Sequence, residues 1–126
     1  MIEQLCEYLW NLIPSSVKPR FVGDIPSQSN EGVALSLYGT DMIARYFGSP
    51  TTIHSQLVQC RIRTEKYEKG TNFMQQIKES LDKYHNEKDG ILSVLLLDGD
   101  NDLGVNEEKL HEFQLTFKIL AKEEEK

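Results

Sequence analysis

The run QLVQCRIRT, residues 56–64, alternates without a break. Val58, Cys60 and Ile62 fall on one side of an extended chain, and Leu57, Gln59, Arg61 and Arg63 on the other. A strand of this kind needs an apolar cover on one side only, and the next segment supplies it. From about Glu65 to His85, residues Tyr67, Gly70, Met74, Ile77, Leu81 and Tyr84 recur at intervals of three and four, with Phe73 adjacent, which predicts an amphipathic helix. Glu65 with Lys69 and Glu79 with Lys83 are spaced to pair along its wet side. Gly70 costs a helix about 1 kcal/mol relative to alanine, so its presence marks either close packing on the sheet or a kink.

Working outward from this unit, VALSLYG (33–39) alternates in the same way, with Val33, Leu35 and Leu37 facing inward. A short strand is expected over Arg20 to Gly23, followed by a polar turn from Asp24 to Gly32. Before it, Ile2, Leu5, Cys6, Leu9, Leu12 and Ile13 form one helical stripe that Pro14 terminates. Downstream, ILSVLLL (91–97) is apolar on both faces and is expected inside the sheet or under a partner. Leu110 to Leu120 is the last strand, with Phe113, Leu115, Phe117 and Ile119 on one side. Two segments, Thr40 to Ser55 and Asp98 to Lys109, read as long connections, and connections of that length are often functional. Tyr46 and Phe47 in the first of them fit either a lid on the core or a contact surface. The predicted architecture is α+β, a mostly antiparallel sheet of four to five strands with two helices on one face. It forms one domain over residues 1–120, with a charged, frayed tail over 121–126.

Composition narrows the function. The 126 residues, 39% hydrophobic, suffice for one core without staples. The formal charge of −6, from 20 acidic and 14 basic residues, argues against a dedicated nucleic-acid binder, whose affinity comes from neutralising phosphates. No window is apolar enough to span a bilayer, and the first residues lack the basic leader and unbroken apolar run of a secretory signal. The chain is therefore expected to be soluble and to stay in the compartment where it is made. Cys6 and Cys60 sit among apolar residues, as buried free thiols do.

Few constellations suggest chemistry. The aspartates of DGDNDLG (98–104) invite a calcium reading, but a calcium loop needs glycine sixth and glutamate twelfth, where Leu103 and Lys109 stand. His54, His85 and His111 are scattered without ligand spacing. No serine lies in a nucleophile elbow and no glycine-rich phosphate loop occurs, so the sequence gives no reason to propose an enzyme, a cofactor or a metal. Arg61 and Arg63 share one face of their strand, where they could grip an anionic partner or simply be solvated.

The run from Gln56 to Gly70 resembles the segment of bacteriophage minor capsid or tail-completion proteins in which basic residues on a strand precede a tyrosine opening a helix. The leading helix, the loop Phe21-Val-Gly-Asp-Ile-Pro26 and the strand Val33 to Tyr38 are similar to theirs as well. In that family glycine and proline follow the strand matching Val33 to Tyr38; here Gly39 is present but the proline arrives only at Pro50, and the acidic loop from Asp98 has no counterpart. The resemblance implies a tail terminator or head–tail joining subunit that forms a ring, often a hexamer, on the tail tube. It implies contacts with tail tube protein and head connector, with DNA only passing through the lumen and no membrane. Such a protein would sit in the virion tail or head–tail interface, and in host cytoplasm before assembly. Tyr46, Phe47, Asp100 and Asp102 are the expected contact residues on the two loops, with Arg61 and Arg63 as a polar contact face. The rival expectations are a cytoplasmic protein-binding or regulatory module and, less in keeping with the residues, a small hydrolase with a deep polar pocket.

Overall fold

The protein is represented by a computed structural model that describes residues 5–45, 51–106 and 109–124. Helix α1, Leu5–Leu12, leads into a three-residue strand β1, Arg20–Val22, and two long strands, β2, Gly32–Arg45, and β3, Thr51–Thr64. Helix α2, Tyr67–Leu81, then connects to β4, Ile91–Val105, and β5, His111–Glu124. The sheet order is β1-β2-β3-β5-β4, with β1 parallel to β2 and every other pair antiparallel. This is the α+β arrangement expected from the sequence.

The alternation of the strands decides which side carries the core. Val33 and Leu35 of β2, Val58, Cys60 and Ile62 of β3, and Phe113, Leu115, Phe117 and Ile119 of β5 are all buried in one cluster. Leu5, Leu9 and Trp10 of α1 and Phe73, Met74, Ile77 and Leu81 of α2 close that cluster from the helical side. Removing these side chains from water is the main drive to this packing, at roughly 25 cal/mol per Å² of apolar surface. Gly70 belongs to the buried side of α2, against the ring of Phe113 and the hydroxyl of Thr64. Its place in the sequence therefore reflects close helix–sheet approach rather than a kink.

Three expectations are corrected. The segments read as long connections are mostly strand: β2 and β3 run on through Arg45 and from Thr51, and β4 runs on through Val105. Glycines and aspartates that locally suggest turns are absorbed as irregularities, with register shifts at Tyr38/Thr40, Met42/Ala44, Asp98/Asn101 and Asp102/Gly104. At the first of these the buried amide of Gln56 donates to the carbonyls of Tyr38, at 3.1 Å, and Leu57, at 3.0 Å. Second, β5 continues as paired strand through Glu124, and Ala121 is buried, so the end of the chain is not a frayed tail up to that residue. Third, of the two placements expected for ILSVLLL, the one inside the sheet is overturned, since the run lies in an edge strand, and cover by a partner stays open. Ile91 and Val94 face the core, whereas Leu95 and Leu97 are exposed.

Lys69 does not pair with Glu65 as its spacing suggests; its Nζ lies 2.6 Å from Glu31 Oε1. That bond, opposed by partial burial and aided by the Glu65 N–H, holds the Glu31 carboxyl below its ordinary value of 4.5. A carboxyl lowered in the folded state stabilises the fold above its unfolded pKa, and the contribution disappears as pH falls through the folded value. An exposed pair of this kind is worth at most about 1 kcal/mol. Urea denaturation across pH should therefore show Glu31→Gln less stable than the parent at neutral pH and equal to it in acid. A gap that persists unchanged into acid would contradict this assignment.

Candidate interaction surface

Among the described residues, no second layer of secondary structure covers the side of the sheet opposite the helices. Register places Tyr38, Leu57, Lys118 and Leu95 level with one another across β2, β3, β5 and β4. Moving toward the start of β2, the face becomes polar, with Gln59 beside Thr116, then Arg61 beside Gln114, then Arg63 beside Glu112. The sheet thus presents apolar side chains around Lys118 at one end and a charged cluster at the other.

The charged end is mostly satisfied internally, with the buried Nε of Arg63 left without a hydrogen bond. Arg63 is largely buried, and its guanidinium donates to the carbonyls of Pro26, at 3.0 Å, and Ser29, at 3.2 Å, pinning the loop between β1 and β2. Glu112 lies 4.0 Å from Arg63 and 3.9 Å from Arg61. The two arginines therefore share one carboxylate, and only Arg61 remains substantially exposed. Arg63→Ala should cost about 2 kcal/mol, because it strips two charge-assisted bonds from partly buried carbonyls. Arg61→Ala should stay within about 0.5 kcal/mol of the parent. Urea midpoints test this contrast, and equal losses at both positions would show that Arg63 is not the loop's anchor.

The other expected contact residues separate in the same way. Asp100 and Asp102 stand on β4 rather than in a loop. Asp102 Oδ1 accepts the Gly104 N–H at 2.8 Å, and Gly104 has φ of +86°, a conformation that favours glycine. Tyr46 and Phe47 lie outside the described residues. What periodicity did not single out is the exposed apolar series on β4, Leu95, Leu97, Leu103 and Val105. Its first two members were hidden inside a run that reads as buried.

The surroundings of the two thiols do not activate them. Burial pushes the Cys60 thiol up to about 12 and raises that of Cys6, so both stay protonated near neutral pH. Among the described residues no group of three or more His, Cys, Asp or Glu side chains is placed to hold a metal ion. The hydroxyls of Tyr8 and Tyr84 are 2.7 Å apart and Tyr8 donates to Asp89 at 2.8 Å, which ties α1 to the turn after α2. Burial, then these two partners, raise the Tyr8 phenol well above its usual value.

Comparison with solved structures finds a chain of a particle described as "Virion of native gene transfer agent (GTA) particle". The two superpose with a TM-score of 0.52 at 14% identity, covering 97% of this chain and 91% of the other. They share a fold. No protein-family profile matches the sequence, and no curated protein matches it either. Among the described residues no helix is long and apolar enough to cross a membrane.

Proposed function

We propose that this chain is a structural subunit of a phage-like virion, placed where the tail tube ends and the head is joined. The observation that carries the reading is the correspondence, over nearly the whole of both chains, with a chain of a gene transfer agent virion. The surface is in keeping with it. Among the described residues one face of the sheet has no covering layer and β4 displays large apolar side chains, which suits a protein that completes itself by contact with neighbours. In this role the subunit forms a closed ring on the tube, stops its growth and offers a surface to the head connector, while DNA passes through the lumen.

Deleting the gene and imaging the lysate by electron microscopy tests the proposal. The expected result is filled heads separate from tails, with tubes of uncontrolled length, both reversed by supplying the chain in trans. Normal joined particles in the deletion strain would overturn the virion role. Joined particles with another defect would overturn the position at the end of the tube.

A further inference from the structure

We propose that the free half of β4 in one copy pairs with the free half of β2 in a second copy, antiparallel, so that the sheet continues head to tail. This inference rests on the reading of the chain as an assembling subunit and names the surface it uses. The first half of β4 is already occupied on its outer side. Lys83 N–H donates to Val94 O at 2.7 Å, Val94 N–H to Tyr84 O at 3.0 Å, and Leu96 N–H to Asp82 Oδ1 at 3.0 Å. Beyond Leu96, from Leu97 to Val105, no strand pairs with that side of β4 among the described residues. At the opposite edge β1 covers β2 only at Val33, Ala34 and Leu35, which among the described residues leaves Ser36 to Arg45 without a strand neighbour on that side. The two open stretches are of nearly equal length.

Their directions and heights match a cyclic arrangement. The alternation across β2, β3, β5 and β4 makes β2 and β4 run in opposite senses. A copy added beside β4 in the same orientation therefore presents β2 antiparallel to it, the stronger ladder. The middle of the β4 stretch, Asn101, is level with Gln114, Arg61 and Ala34. The middle of the β2 stretch, Thr40 to Asp41, is level with Gln56 and Ser55, five to six residues away from Arg61 along β3. That offset is about 16–20 Å over a repeat of four strand spacings, about 19 Å. The strands would then tilt by roughly 40–45° from the ring axis, close to the 35–45° at which sheets close into barrels.

Charge selects against the simplest rival. A two-fold pairing of β4 with β4, centred on Asn101, would set Asp100 opposite Asp102 twice, and like charges directly opposite destabilise a ladder. The apolar side chains agree with a heterologous contact. Leu97, Leu103 and Val105 are 55%, 48% and 55% exposed on one stretch, and Tyr38 is 43% exposed on the other. The register shifts of both stretches keep them from accepting arbitrary strands.

The test uses the purified full-length chain with single surface cysteines, Cys6 and Cys60 being buried and silent. Chains carrying Leu103→Cys are mixed with chains carrying Tyr38→Cys and treated with a short bifunctional thiol reagent. Cross-linked dimer is expected in the mixture, with a loss of at least tenfold when either variant is treated alone. Sedimentation should show species above the monomer that revert to monomer in Leu103→Lys/Val105→Lys with an unchanged circular dichroism spectrum; if that variant misfolds, the cross-linking result decides alone. A monomer at every concentration, cross-links only within one variant, or assembly untouched by the lysines would overturn the pairing. Particles that contain the chain but lack the cross-link sink this contact and leave the virion role standing. A chain that cross-links as expected yet is absent from particles sinks the role and leaves the contact standing.

Discussion

Arg20→Ala is expected to lower the unfolding free energy by about 4 kcal/mol, among the larger losses a single substitution produces. The last carbonyls of an α-helix have no partner within it. Here the Arg20 guanidinium supplies partners, donating to Trp10 O at 2.7 Å, Ile13 O at 3.0 Å, Pro14 O at 2.8 Å and Val17 O at 3.0 Å. The same group lies 4.7 Å from the centre of the Trp10 ring. One side chain therefore closes α1, fixes the turn after Pro14 and anchors the start of β1. A positive charge at that end also suits the helix dipole. Arg20→Lys should recover only part of the loss, since a single ammonium cannot span four carbonyls arranged around a planar fork. Urea denaturation of the three proteins measures both effects. A loss below 1 kcal/mol in the alanine variant would mean that water replaces the guanidinium at little cost.

Gly70→Ala should cost about 3 kcal/mol, with the opposite sign to the usual helical substitution. Alanine in place of glycine ordinarily stabilises a helix by about 1 kcal/mol. At this position a Cβ would run into the ring of Phe113, closest at Cε2, and come within 2.8 Å of Thr64 Oγ1. Phe113 is fully buried near the start of β5, beneath α2, so it cannot move aside without disturbing the core. Forcing an extra carbon into such a site typically costs 1–3 kcal/mol, occasionally more. Pairing Gly70→Ala with Phe113→Leu should return part of the stability relative to the sum of the two single losses. Simple additivity of the two changes would show that the clash is relieved elsewhere, by a shift of α2 as a whole.

The layers of the fold could be read from alternation and helical spacing because each element has one dry side. Val58, Cys60 and Ile62 identify β3, Phe113 to Ile119 identify β5, and the Met74, Ile77, Leu81 stripe identifies α2. Strand continuity could not be read past Gly39 or through Asp98 to Asp102. Glycine and aspartate there look like turn residues when only near neighbours in sequence are considered. Partners distant along the chain, Gln56 at the Tyr38 irregularity and β5 beside β4, are what keep those stretches extended. The candidate surface was legible in part for the same reason. Arg61 and Arg63 fall on the expected face, but their shared Glu112 is 49 residues beyond Arg63 and invisible to spacing. The apolar edge of β4 was masked because seven consecutive apolar or small residues give no phase.

The buried amide of Gln56 carries one more consequence. Both of its hydrogens are committed to carbonyl oxygens inside the sheet, so the position depends on nitrogen rather than on shape. Glutamate, its near-isostere, would set a carboxylate against those oxygens, and the same holds for the product of slow amide hydrolysis. Aged protein is therefore expected to lose order first around the Tyr38/Thr40 irregularity that Gln56 ties to β3.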